Sequence, residues 1–210
     1  MAALNGAAPG PKRLVEWAVS AAAFPGQLRS GDLHYVKDLQ RRVILALADG
    51  LGHGDEAAIA AALAVAALDQ SPDQPIAALL LRCHEALKKT RGAALSLASF
   101  DADQGALTWL GVGNVAGVLL RADGARREDL ITRGGVVGFQ LPPLRSATIS
   151  ITGGDTLILA TDGVRSGFAE DVPLAGSPQR IAQEILDRHC RGTDDALVLV
   201  GRYLGEGGSS

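Results

Sequence analysis

The segment RRVILALAD, residues 41–49, is apolar at consecutive positions, not at alternate ones. A strand written this way carries hydrophobic side chains on both faces and needs cover on each. It belongs inside a layered fold. The run ends abruptly on Asp49, and glycines follow at 50, 52 and 54. The segment DTLILATD, residues 155–162, repeats the pattern, with Asp162 closing an apolar strand and Gly163 following.

The rest of the chain shows which layers are available. LVEWAVS (14–20) and LHYVKDL (33–39) read as strands before the first apolar run. Small and apolar residues at helical spacing then predict helices over 55–68 and 74–90, with Pro72 and Pro75 between them. Short strands follow at AALSLASFD (93–101), ALTWLGVG (106–113), VAGVLLRAD (115–123), SATISIT (146–152) and DTLILATD. SPQRIAQEILDRHC (177–190) predicts a helix with Ser177 as N-cap and Pro178 at its first position. The strand DALVLVGRY (195–203) closes the series. Strands come in runs and do not alternate with helices, so a doubly wound nucleotide fold is excluded. The expectation is an α+β protein in which two mainly antiparallel sheets pack face to face, flanked by helices.

Composition narrows the function. Of 210 residues, 47% are hydrophobic, enough for one substantial core. One domain is expected over 13–204, between a flexible leader at 1–12 and a flexible tail at 205–210. A net charge of −3 offers no basic footprint for nucleic acid. The most apolar run, 57–68, is far short of the ~20 residues that a membrane span needs. Cys83 and Cys190 suggest neither a disulfide framework nor a zinc site, and a reducing cytoplasm suits them. Trp17 and Trp109 are expected in the core, and His34, His84 and His189 on the surface or in packing roles.

The acidic residues carry the functional signal. Asp49 and Asp162 end buried strands, Asp194 and Asp195 open the last one, and Asp32 precedes the second. A carboxylate at the edge of a core is costly unless paired or metal-bound. No basic residue alternates with these aspartates in sequence. Magnesium and manganese prefer hard oxygen ligands, and flanking glycines would let a backbone carbonyl approach an ion. Asp-Gly is also a common turn signal, so each aspartate alone has a simpler reading. The two matched strand ends favour metal. GVGN (111–114) lies between strands and reads as a tight hairpin, not as a phosphate loop.

SGD (30–32), ADGLGHG (48–54), GVGN (111–114), ATDGV (160–164) and GTDDALVLV (192–200) resemble, in order, the motifs of SpoIIE-type serine phosphatases. These belong to the metal-dependent PPM, or type 2C, phosphatases. The resemblance spans about residues 14–203, and RGGVVGFQLPP (133–143) with the short chain looks like the stand-alone phosphatases of the bacterial stressosome. It implies a four-layer αββα sandwich with two Mn2+ or Mg2+ ions at one end. Asp49 would bridge both ions, the Gly50 carbonyl would bind one, and Asp162 and Asp194 would hold the second. Asp32 would be a further ligand or an outer partner, and Asp195 stands as an alternative to Asp194. Ions ~3.5–4 Å apart lower the pKa of a shared water, which attacks phosphorus in line.

Relatives often carry histidine directly after the Asp-Gly pair, where this chain has Leu51; His53 is then either structural or the general acid. Arg29 and Arg165 are candidates to hold phosphate. The resemblance implies hydrolysis of phosphoserine or phosphothreonine, with phosphorylated STAS-domain proteins of a stressosome as partners. The alternatives are a soluble anti-anti-sigma factor as substrate, or a catalytically silent binding module of the same fold.

Overall fold

The computed structural model describes residues 13–27, 29–124, 126–170, 172 and 175–205. The expected leader at 1–12 and all but the first residue of the expected tail lie outside the described residues. The elements run β1 (Val15–Ala22), β2 (Asp32–Asp38), β3 (Arg42–Gly50), α1 (Asp55–Asp69), α2 (Ile76–Leu87), β4 (Ala93–Asp101) and β5 (Ala106–Val112). Then come β6 (Ala116–Leu120), β7 (Arg127–Leu130), β8 (Thr132–Arg133), β9 (Ala147–Ser150), β10 (Thr156–Ala160), α3 (Pro178–His189) and β11 (Ala196–Tyr203).

One sheet has the order β1-β11-β10-β6-β7; the other runs β2-β3-β4-β5-β8, with β9 also paired to β5. Every pairing is antiparallel except the short β5–β8 contact. The consecutive apolar positions of β3 explain the layering. Val43, Leu45 and Leu47 face the other sheet and meet Leu157, Leu159, Leu197 and Leu199. Ile44, Ala46 and Ala48 face the opposite way, under α1 and α2. Strand β10 divides likewise, with Ile158 and Ala160 packing under Ile181, Ala182 and Ile185 of α3. Each fully buried leucine contributes about 1.5–3 kcal/mol by leaving water, so both faces of these strands matter. The result is the expected αββα sandwich.

Ser177 caps α3 as expected, its side chain accepting from the Arg180 N–H at 3.3 Å. Helix α2 is shorter than the sequence suggests: Pro75 is its N-cap, and Thr90 Oγ1 donates to the Leu87 carbonyl just past its end. Trp109 is buried, with its N–H donating to the Ile131 carbonyl at 2.9 Å. Trp17 corrects the core expectation. It is 44% exposed on the outermost strand of its sheet and leans on the His34 ring. No described helix is long and apolar enough to cross a membrane.

Candidate metal centre

Asp49 lies at the end of β3 and Asp32 at the start of β2, and the antiparallel register sets them directly opposite each other. Asp162 follows the end of β10, and Asp194 and Asp195 immediately precede β11. Two sheets thus deliver five carboxylates to one end of the sandwich. The join between sheets is specific. Thr161 Oγ1 donates to Asp32 Oδ2 at 2.7 Å and accepts from the Leu197 N–H at 2.9 Å.

The glycines have steric reasons to be there. A Cβ on Gly50 would lie 2.1 Å from the Ala57 carbonyl oxygen, so only glycine lets the first turn of α1 settle on the strand end. A Cβ on Gly163 would lie 1.9 Å from the Asp195 carbonyl oxygen. Both Asp-Gly pairs therefore do the same thing: the glycine admits a neighbouring backbone while the aspartate before it stays at the mouth.

The electrostatics distinguish the five acids. Burial first, then the charges of Asp32, Asp162, Asp194 and Asp195, push the Asp49 carboxyl up to about 8. Burial likewise dominates at Asp32 and, with the charges of Asp195, Asp162 and Asp194, outweighs the Thr161 hydrogen bond, giving about 7. Asp162, on the exposed rim, is raised by burial and by Asp194, while Arg191 and the Asn114 amide oppose the shift. Asn114 Nδ2 donates to Asp162 Oδ2 at 2.7 Å. No ion pair neutralises any of the five among the described residues.

Asp194 and Asp195 are neighbours with different surroundings. Asp195 is 3% exposed; its Oδ1 accepts from the Phe24 N–H at 2.8 Å and its Oδ2 from the Gly31 N–H at 2.7 Å. It fastens the 23–31 loop to the last strand. Asp194 is half-buried and, among the described residues, receives only the N–H of the next residue, at 2.8 Å.

A hard divalent cation fits this donor set. Crowded oxygen ligands that lack counter-cations raise one another's proton affinity, and a cation relieves that repulsion. Among the described residues, no three acidic, histidine or cysteine side chains alone close into a ligand cage.

The remaining candidates separate cleanly. His53 is exposed; its Nδ1 lies 2.9 Å from Gln27 Nε2 and its ring 6.3 Å from that of Phe24. It ties the 51–54 loop to the 23–31 loop, as the structural reading expects. Arg165 Nη2 donates to the Arg188 carbonyl at 2.7 Å, which turns the guanidinium to the end of α3. Arg29 is exposed. Sequence reasoning missed Thr161, Asn114 and Arg191. Asn114 had a signal, as the last residue of the GVGN motif, but its contact partner lies 48 positions away.

Comparison with known proteins bears on the family and the fold. The model of the family described as Stage II sporulation protein E (SpoIIE) matches residues 40–203. The phosphoserine phosphatase RsbX of Bacillus subtilis (strain 168) is 28% identical over 139 residues, which are 66% of this chain and 69% of RsbX. A crystal structure of RsbX in complex with magnesium superposes with a TM-score of 0.81 at 23% identity, over 90% of this chain and 95% of that one. A structure concerning the bacterial stressosome, as a modular system adapted to control secondary messenger signaling, contains a chain that superposes with a TM-score of 0.82 at 31% identity. The match covers 90% of this chain and 99% of that one. The chain belongs to the SpoIIE family of metal-dependent protein serine/threonine phosphatases, and it has their PPM (type 2C) fold.

Proposed function

We propose that this protein removes phosphate from phosphoserine or phosphothreonine in STAS-domain proteins of a cytoplasmic stressosome, and so resets a stress signal. The observation that supports the hydrolytic part is the convergence of carboxylates from both sheets with no ion pair to any of them among the described residues. The stressosome assignment rests on the similarity to RsbX and to the stressosome-related chain.

Asp49, the Gly50 carbonyl, Asp162 and Asp194 are assigned as the groups that hold Mg2+ or Mn2+. Asp32, tied to Thr161, joins them directly or through water. Asp195 is assigned to position the 23–31 loop, because both of its oxygens are engaged by backbone N–H groups. A bound divalent cation supplies charge for the phosphate oxygens and a water acidic enough to ionise near neutral pH. The chain's own residues do the rest. Asn114 keeps the Asp162 carboxylate oriented, and Thr161 keeps Asp32 oriented while locking β10 to β11. Cys83 is not placed to act as nucleophile: it is buried under α1, with burial pushing its thiol up to about 12.

The test is direct. A STAS-domain protein phosphorylated on serine or threonine should lose phosphate in the presence of Mn2+ or Mg2+ and keep it after chelation. Release of phosphate at an undiminished rate by Asp49→Asn refutes the mechanism. Activity on a soluble anti-anti-sigma factor but not on a stressosome scaffold keeps the chemistry and replaces the partner.

A further inference from the structure

We propose that the cleft at the start of α2 binds a small hydroxylated phosphate ester, at a site separate from the metal centre and independent of the phosphatase reading. The cleft lies at the other end of the sandwich. Arg42 opens β3 and Asp49 nearly closes it. At about 3.3 Å per residue, roughly 23 Å of strand separates the two.

The floor of the cleft is a break in the core. Along most of β4 and β5 the face turned to α1 and α2 is apolar, with Leu95, Leu97, Leu110 and Val112 in the cluster beneath those helices. Where α2 begins, the same face becomes polar. Ser99 comes two positions after Leu97 and stands opposite Thr108 in the β4–β5 register, and Thr108 stands opposite Thr148 of β9. Ser99 is 7% exposed and lines the cleft, yet its hydroxyl has no hydrogen-bond partner among the described residues. An unpaired hydroxyl at that depth costs stability, which a ligand oxygen would recover.

The wall is the first turn of α2. Its N-cap is Pro75, no side chain caps it, and no acidic residue lies in its first turn. The N–H groups of Ile76 and Ala77 have no acceptor among the described residues, and both residues line the cleft. Arg42 stands beside them. Its Nη2 donates to the Pro72 carbonyl at 2.6 Å, which holds the guanidinium against the segment leading into α2. Its Nε and Nη1 have no partner among the described residues. Unclaimed N–H groups at a helix start, with a guanidinium next to them, are a donor set for phosphate.

The opposite side of the cleft sets the rest of the ligand. Asp101 lies across from Arg42 in the β3–β4 register, and no ion pair joins them among the described residues. Asp101 Oδ1 accepts from the Gln104 N–H at 3.0 Å. A carboxylate there disfavours a bare dianion and favours a ligand that presents a hydroxyl to it. The hydroxyls of Ser99, Thr108 and Ser146 line the same cleft and suit the same partner.

The experiment is calorimetric titration of ribose 5-phosphate, inorganic phosphate and ribose into the full-length protein after chelation. Ribose 5-phosphate should bind at one site, inorganic phosphate about fivefold more weakly or worse, and ribose without measurable heat. Pro75→Asp supplies the missing cap, so it should melt no lower than wild type while weakening ribose 5-phosphate about tenfold or more. Ser99→Ala removes an unpaired buried hydroxyl, so it should also keep its melting temperature and weaken binding about fivefold. Asp49→Asn should bind as wild type does. No saturable binding by wild type overturns the proposal, as does affinity unchanged in both Pro75→Asp and Ser99→Ala. Binding lost in Asp49→Asn overturns it too, because the ligand would then occupy the metal centre. Inorganic phosphate that binds as tightly as ribose 5-phosphate overturns the hydroxylated class. No readout here depends on hydrolysis, so the phosphatase reading stands or falls separately.

Discussion

Strand β10 has an aspartate before it and another shortly after it, and the two could hardly be treated more differently. Asp155, at one end, is 1% exposed and saturated: it accepts from the Ala122 and Thr152 N–H groups and from Arg121 Nη1, at 2.8–3.0 Å. Asp162, at the other end, has one amide donor and sits among like charges. Asp49, across the sandwich from it, is half-buried with its proton held up to about 8. Burial alone does not mark a functional carboxylate. What marks it is burial without compensation, because a fold retains such a cost only when something outside the chain relieves it.

This contrast can be broken by exchanging the two kinds of acid. Asp49→Asn should reduce phosphatase activity by more than the about 100-fold that loss of an outer partner of a ligand costs. The metal-free variant should melt no lower than wild type, since it replaces a carboxyl that the fold must either keep protonated or hold charged among like charges. Asp155→Ala should do the reverse. It strands two backbone N–H groups, removes one of the two carboxylates that hold Arg121 while Glu128 remains, and should cost about 3 kcal/mol of stability, with activity per folded molecule retained. Denaturant melts and initial rates on the same preparations check both. An Asp49→Asn protein that unfolds, or an Asp155→Ala protein that folds normally but is inactive, would break the distinction.

The same contrast predicts a pH dependence. Asp32 and Asp49 titrate at about 7 and about 8 in the fold, against 3.8 for an ordinary aspartate. Above the ordinary value the unfolded chain sheds these protons while the folded one keeps them. Fewer protons on the unfolded state means that stability falls as pH rises. The metal-free protein should therefore lose thermal stability steadily from about pH 4 up to the folded values, and level off above them. Metal must displace those protons, so the rise in melting temperature on adding Mg2+ should grow across the same interval and then flatten. Asp49→Asn should flatten both curves. A melting temperature of the metal-free protein that climbs with pH over this range contradicts the uncompensated cluster.

Much of this was legible in the chain, for reasons particular residues make clear. The consecutive apolar positions of β3 and β10 dictate cover on both faces, which is why the layered fold follows from them. Asp32, Asp49, Asp162 and Asp194 stand out because acids at the ends of apolar strands are costly. Strands β7 and β8 were not legible: REDL and TR carry no alternation, and they exist because a sheet edge offers them partners. The exposure of Trp17 depends on β1 being an outermost strand, a property of the assembled sheet. Asp155 and Asp162 are nearly indistinguishable in sequence, since each adjoins the same apolar strand and a glycine. Only the arrival of Arg121 at one end, and of four other carboxylates at the other, separates them.

The smallest effect offers the finest test of that separation. Asn114 gives Asp162 its one side-chain hydrogen bond among the described residues, at 2.7 Å, and lowers its proton affinity against burial and Asp194. If Asp162 is a ligand, Asn114 is the outer partner that aims it, and Asn114→Ala should weaken Mg2+ or Mn2+ binding about tenfold. Global stability should change little, because Asn114 is exposed and its loss leaves a rim carboxylate that water can reach. Activity should return at saturating metal, so that the half-saturating metal concentration moves while the maximal rate is largely kept. Asn114→Asp should be worse than alanine, because it adds another negative charge beside Asp162. Metal affinity that is identical in wild type and both variants would leave Asp162 as an ordinary turn aspartate, and the two ends of β10 would then differ only in how well their acids are solvated.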